Sequence, residues 1–177
     1  MSVANYKKSQ VLLCTILFFV SGVSYAANSL CDATEKIIFN CQLKLSKKTI
    51  SVCGSQSLTK DSGYIQYRFG TKKNLELIYP STKINSQSHF FWNDKRFYQS
   101  SLFELTFENK GYFYTLSKYD VSDVMNDIPS GAQGGEIIVQ KKGDARYNTL
   151  KCSGYPDGDF YLQGIVRDRE ELIDAKL

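Results

Sequence analysis

The sequence predicts an all-β domain, an antiparallel meander forming a small barrel or sandwich and held by two disulfides. Three observations carry that expectation. Short runs rich in Ile, Val, Phe, Tyr and Thr recur through residues 27–177, separated by Gly, Asn, Asp, Ser and Lys clusters, which is the spacing of strands and turns. Several of these runs alternate apolar and polar residues with period two. Four cysteines, Cys31, Cys41, Cys53 and Cys152, follow an export signal, an even number that reads as two bridges.

Residues 1–26 read as a cleaved secretory signal peptide. Lys7 and Lys8 form its basic start, Val11 to Val20 its apolar run, and Ser24 and Ala26 the small positions before the cut. The apolar run is about half of the roughly 20 residues that span a bilayer, so no stable membrane anchor is expected. Cys14 lies inside the run and is discarded with it. Residues 27–177 suit a single β domain. Signal and disulfides together point to a bacterial periplasm, or to secretion.

Strands are expected near 35–45, 48–54, 63–69, 74–79, 87–92, 101–108, 111–119, 135–142, 145–152 and 159–166. Paired residues of an antiparallel hairpin share a constant index sum, and one face should be apolar. Ile65, Tyr67 and Phe69 against Tyr79, Leu77 and Leu75 give a sum of 144, with Gln66, Arg68 and Glu76 on the other face. Phe103, Leu105 and Phe107 against Leu116, Tyr114 and Tyr112 give 219, with Glu104, Thr106 and Glu108 outward and a turn at Asn109-Lys110. In the first hairpin, Cys41 opposite Cys53 requires 94, while the apolar pattern prefers 95, and a bulge would reconcile the two. Directly opposed cysteines can bridge, so the expected disulfides are Cys41–Cys53 and, by exclusion, Cys31–Cys152. Residues 120–134, long and polar, read as a helical turn and loop or a mobile connection, and 167–177 as a short C-terminal helix or a frayed tail.

No catalytic pattern emerges. His89 is the one histidine, and no Gly-x-Ser-x-Gly elbow accompanies it. None of the four cysteines forms a C-x-x-C pair, which argues against zinc. The carboxylates do not single out a pair for glycoside chemistry. Asp157-Gly158-Asp159 reads as a β-turn without the further acidic positions of a calcium loop. Phosphate loops and dinucleotide fingerprints are absent from the sequence, so no cofactor, no metal and no enzyme activity is expected. The chain carries 22 Lys plus Arg against 18 Asp plus Glu, and without the signal's two lysines its charge is only +2. So weak a basic excess makes nucleic acid a poor partner.

A protein partner is the remaining class. Residues 89–98 hold five aromatics in ten positions, mixed with charges. Trp, Tyr, Phe and Arg are enriched at interface hot spots. The partner-binding candidates are therefore Phe91, Trp92, Arg96, Phe97 and Tyr98, followed by the 120–134 loop.

Phe39-Asn40-Cys41, Val52-Cys53-Gly54-Ser55 and Gly63-Tyr64-Ile65-Gln66-Tyr67-Arg68-Phe69-Gly70 resemble a pattern of small exported proteobacterial β-rich proteins with four cysteines. Proteins of this kind serve as immunity proteins against periplasm-acting toxins of type VI secretion systems. The resemblance implies an inhibitor that neutralises a cognate toxin, effector or lytic enzyme by protein–protein binding, with no active-site residue to carry over. The chain is also similar to periplasmic inhibitors of C-type lysozyme, but departs at their inhibitory loops. Ser62-Gly63-Tyr64 is one register too short, and Trp92-Asn93-Asp94-Lys95-Arg96 lacks the glycine. A lysozyme-inhibitor-like or lipocalin-like, small-ligand-binding envelope protein is the alternative expectation, the lipocalin form requiring a hollow apolar interior.

Overall fold

The computed structural model describes residues 28–122 and 128–170. Residues 1–27, which include the expected signal peptide, and the final residues 171–177, where most of the expected C-terminal helix falls, lie outside the described residues, as do 123–127. The strands are β1 (Glu35–Gln42), β2 (Thr49–Ser55), β3 (Ile65–Thr71), β4 (Asn74–Tyr79), β5 (Phe90–Phe97), β6 (Ser100–Asn109), β7 (Tyr112–Val121), β8 (Ala132–Lys141), β9 (Tyr147–Lys151) and β10 (Arg167–Asp168). They form two sheets, ordered β1-β2-β3-β4 and β10-β5-β6-β7-β8-β9. Pairing is antiparallel throughout except for β10, which lies parallel to β5 at Phe91 and Trp92. The all-β expectation is correct. Among the described residues no helix is long and apolar enough to cross a membrane.

The inner faces of the two sheets meet in one core. β2 and β3 contribute Ile50, Val52, Ile65 and Tyr67, and β5 to β8 contribute Phe90, Trp92, Leu105, Phe107, Leu116 and Ile137. Aromatic rings fill the space between the sheets. Phe107 stacks on Tyr79 at 4.7 Å and on Tyr114 at 4.8 Å, and Tyr67 packs against Phe107 at 4.9 Å. The interior is therefore packed, where a lipocalin-like barrel would be hollow.

One side of the sandwich is closed by backbone hydrogen bonds. After β9 the chain runs along the free edge of β1. Lys44 N–H donates to Lys151 O at 2.9 Å, and Asn40 and Asp157 exchange bonds of 2.9 and 3.0 Å. Gly158 makes the close approach possible. Its φ is +103°, and a Cβ there would sit 2.7 Å from Ile38 O.

The disulfides are Cys31–Cys53 and Cys41–Cys152, which corrects the expected connectivity. β1 pairs with β2 at a sum of 90 or 91, so Cys53 lies opposite Ile37 and Cys41 opposite Ile50. The two cysteines of the hairpin are never opposed. Cys31 instead ties the segment before β1 onto β2, and Cys41 ties β1 to the closing segment after β9.

Both hairpins slide by two residues and keep most of their faces, but Leu75 and Tyr112, expected on the apolar faces, are exposed, and Thr106, expected outward, is buried against the Thr115 hydroxyl. β6 and β7 pair at 221, as in Leu105 with Leu116 and Phe107 with Tyr114. The turn is Lys110-Gly111, with φ of 50° and 77°. A two-residue type I′ turn needs positive φ at both positions, and Gly111 supplies one at no steric cost. β3 and β4 pair at 146 until a bulge at Phe69/Gly70 drops the sum to 145.

Further expectations are corrected. Residues 159–166 are not a strand: 159–162 are irregular and 163–165 form a turn, although Phe160, Leu162 and Val166 are buried. Positive φ at Gly158 and Gly164 breaks that run. The first half of 87–92 belongs to a 3-10 turn, Ser86–His89. The 120–134 connection is shorter at both ends, since β7 runs to Val121 and β8 starts at Ala132. Arg167 and Asp168 are a short strand, not the start of a helix.

Candidate functional site

The outer face of the β1–β4 sheet is polar in sequence yet buried in the structure. Gln66 and Arg68, expected on the face opposite the apolar one, do lie there, but under residues 28–35 and the chain around Pro80. Arg68 donates from Nη1 to Glu35 Oε2 and from Nη2 to Glu35 Oε1, both at 2.7 Å, and from Nη1 to Leu30 O at 2.9 Å. Its Nε and Nη2 reach Gln66 Oε1 at 3.1 and 3.0 Å. Glu35 also accepts from Tyr64 Oη at 2.6 Å and Asp32 N–H at 2.8 Å, with Lys83 Nζ 3.3 Å away. Burial alone would raise the Glu35 carboxyl, but the Arg68, Tyr64 and Asp32 hydrogen bonds outweigh it and hold the pKa near about 2.

A carboxylate so thoroughly bonded is an anion at neutral pH, with its lone pairs already engaged by Arg68, Tyr64, Lys83 and the Asp32 N–H. The cluster staples the chain before β1 to β3. Glu35 also lies close to Cys31 and Cys53, but the two sulfurs are joined in a disulfide and do not offer thiolates to a metal.

The sequence-derived candidates separate onto two faces and an end. Trp92, 2% exposed, points into the core, stacks on Phe103 at 5.7 Å and meets Phe160 edge-on at 5.2 Å. It offers no surface to a partner. Phe91 faces the other side of the sheet and is buried, with the Arg167 guanidinium 4.1 Å above its ring. Phe97 ends β5 opposite Ser100.

Arg96 and Tyr98 are presented to solvent at the β5–β6 turn. Arg96 forks onto Asp94, Nε to Oδ1 at 3.0 Å and Nη2 to Oδ2 at 2.6 Å. Its guanidinium carbon also lies 5.3 Å from the Phe103 and Tyr161 rings. Tyr98 is 95% exposed. A shallow groove of about 290 Å³ runs between Arg96, Tyr98, Ser101 and Asp120. Asp120, at the start of the expected loop, therefore does share a site with Arg96. His89 meets the Tyr79 hydroxyl at 3.5 Å, and among the described residues no carboxylate bonds to it.

The opposite end carries a feature that sequence reasoning missed. A groove of about 680 Å³ opens there between Leu43, Leu45, Phe69 and Leu150. A neighbouring recess of about 490 Å³ continues it past Leu77, Tyr112 and Val139. Phe69 and Leu150 line both. Their placement depends on which ends of the two sheets coincide, which hairpin arithmetic does not give. Burial pushes the Tyr114 phenol at this end above its usual range, so it stays neutral.

No family model matches the chain, and no curated protein or solved structure matches it.

Proposed function

We propose that the chain is a non-enzymatic exported binding protein, and that its role is that of an immunity protein which neutralises a periplasm-acting toxin by occupying it. The observation that supports this reading most is the fixed Arg96. Forked onto Asp94 and 5.3 Å from two ring centroids, it loses little conformational freedom when a partner binds. The exposed Tyr98 stands at the adjoining turn. Arg and Tyr are the residue types that dominate interface energetics. Two disulfides and a packed aromatic core supply the rigid scaffold, and disulfides fit an oxidising, exported compartment. The resemblance to exported four-cysteine immunity proteins gives the class of partner.

Neutralising a lethal enzyme needs nanomolar binding, about −12 kcal/mol. Interfaces of that strength commonly bury roughly 1,600 Å². The Arg96–Tyr98 patch would be the centre of such an interface, with Asp120 and Tyr161 at its margin.

The test is co-expression with the product of the adjacent gene directed to the periplasm. Restored growth, lost on deletion of residues 1–26, supports the proposal. A harmless neighbour, or growth arrest that persists with the chain present, overturns it.

A further inference from the structure

Four hairpin connections, 43–48, 72–73, 110–111 and 142–146, lie at one end of the molecule. Thr49 pairs with Gly70, which brings the first two together. Tyr112 pairs with Lys141, which does the same for the last two. The recess shared by Phe69, Leu77, Asn109 and Tyr112 joins the two pairs across the sandwich. These connections hold eight basic residues and one acidic, a net +7, more than the +4 of the entire chain.

Three of the eight basic residues are paired and five are not. Lys48 pairs with Glu76, Lys142 with Glu108 and Arg146 with Asp144. Among the described residues no ion pair engages Lys44, Lys47, Lys72, Lys73 or Lys110. Leu45 in the first connection, and Leu75, Tyr112 and Tyr147 on the strands that follow the other three, are exposed to solvent. Leu45 is 96% exposed, at the tip of the first turn between Lys44 and Lys47.

We infer that this end is a peripheral docking face for an anionic lipid surface. The chemistry separates a lipid surface from a protein one. Protein interfaces are depleted in Lys and favour the forked geometry of Arg. Here the unpaired cations are all lysines on flexible stems, and the one arginine is already tied to Asp144. Flexible point charges suit a diffuse field of headgroup phosphates, each contributing roughly fivefold to partitioning near such a surface. Tyrosine sits naturally at headgroup depth, and a bare leucine at a turn tip reaches the acyl boundary. The four turns bring these groups to one end, as a flat bilayer requires. The Arg96–Tyr98 patch, at the other end of β5 and β6, is left free, so the inference stands independently of the proposed partner.

The test uses the processed, disulfide-intact chain and sedimentation with vesicles. One set is phosphatidylcholine alone, the other contains phosphatidylglycerol. Binding is expected only to the anionic vesicles, falling at least tenfold from 0.05 to 0.5 M salt. Replacing Lys72 and Lys73 by Ser should weaken it roughly 25-fold, and Leu45→Trp should give an emission blue-shifted by anionic vesicles alone. These are exposed turn positions, and circular dichroism checks the fold of each variant. Equal binding to both vesicle types, none to either, or unchanged binding of the lysine variant would overturn the inference. Loss of protein-partner binding in the lysine variant, with no vesicle binding by the parent, would assign the face to an acidic protein instead. The vesicle assay contains no partner, so its failure leaves the Arg96 reading untouched.

Discussion

Arg68 and Glu35 are joined by two parallel hydrogen bonds of 2.7 Å, with side chains 6% and 1% exposed. A pair this deeply buried adds little net stability when whole but is costly to break, because removing one partner strands the other charge. Glu35→Gln or Arg68→Met alone should therefore lower unfolding free energy by about 3–5 kcal/mol. The double replacement by Leu and Met should cost less than the two single changes together. Urea denaturation of the four proteins checks the coupling.

The same pair sets an acid limit. Glu35 has its pKa lowered from 4.5 to about 2, so its contribution is complete above pH 4.5 and is lost as pH falls towards 2. The amount is about 3 kcal/mol for a shift of that size. Thermal unfolding between pH 5 and 2 should show this loss, and Glu35→Gln should flatten that part of the profile.

The two disulfides should differ in weight. Cys41–Cys152 closes a sequence separation of 111 and Cys31–Cys53 one of 22. The chain-entropy relation gives about 5 and about 3 kcal/mol. Ser replacements of each pair, compared by denaturant unfolding, should preserve that order. Peptide mapping should recover Cys41 linked to Cys152 and no Cys41–Cys53 peptide.

Face assignment was legible in the sequence, while register was not. Leu105, Phe107 and Leu116 share the core face because side chains alternate with period two. A slip of two residues preserves that alternation, so periodicity cannot distinguish a sum of 219 from one of 221. The deciding information was the positive φ of the Lys110-Gly111 turn. Connectivity of the cysteines failed for the same reason, since it was read from an assumed register. Burial of Arg68 was hidden because alternation separates two faces without telling which is covered, and the cover is the segment held by Cys31–Cys53. Of the candidate patch, Arg96 and Tyr98 reach the surface. Trp92 lies in the core, since alternation along β5 turns it towards Phe103 and Phe160.

The seam between β1 and the segment after β9 offers a direct mutational check. Gly158→Val adds a Cβ 2.7 Å from Ile38 O at a φ of +103°. It should cost more than about 1 kcal/mol. Amide exchange should rise at Asn40 and Asp157, which bond across the seam. Gly143→Val, also at positive φ but with open space around its Cβ, should leave exchange at the seam unchanged.

The most direct test of the binding reading is the dissociation constant between the processed chain and the product of the adjacent gene, measured by calorimetry. The expected value is nanomolar, weakened at least 30-fold by Arg96→Ala, about 2 kcal/mol, and unchanged when Lys72 and Lys73 become Ser. Absence of a complex, or an Arg96→Ala protein that binds as tightly as the parent, would contradict the account.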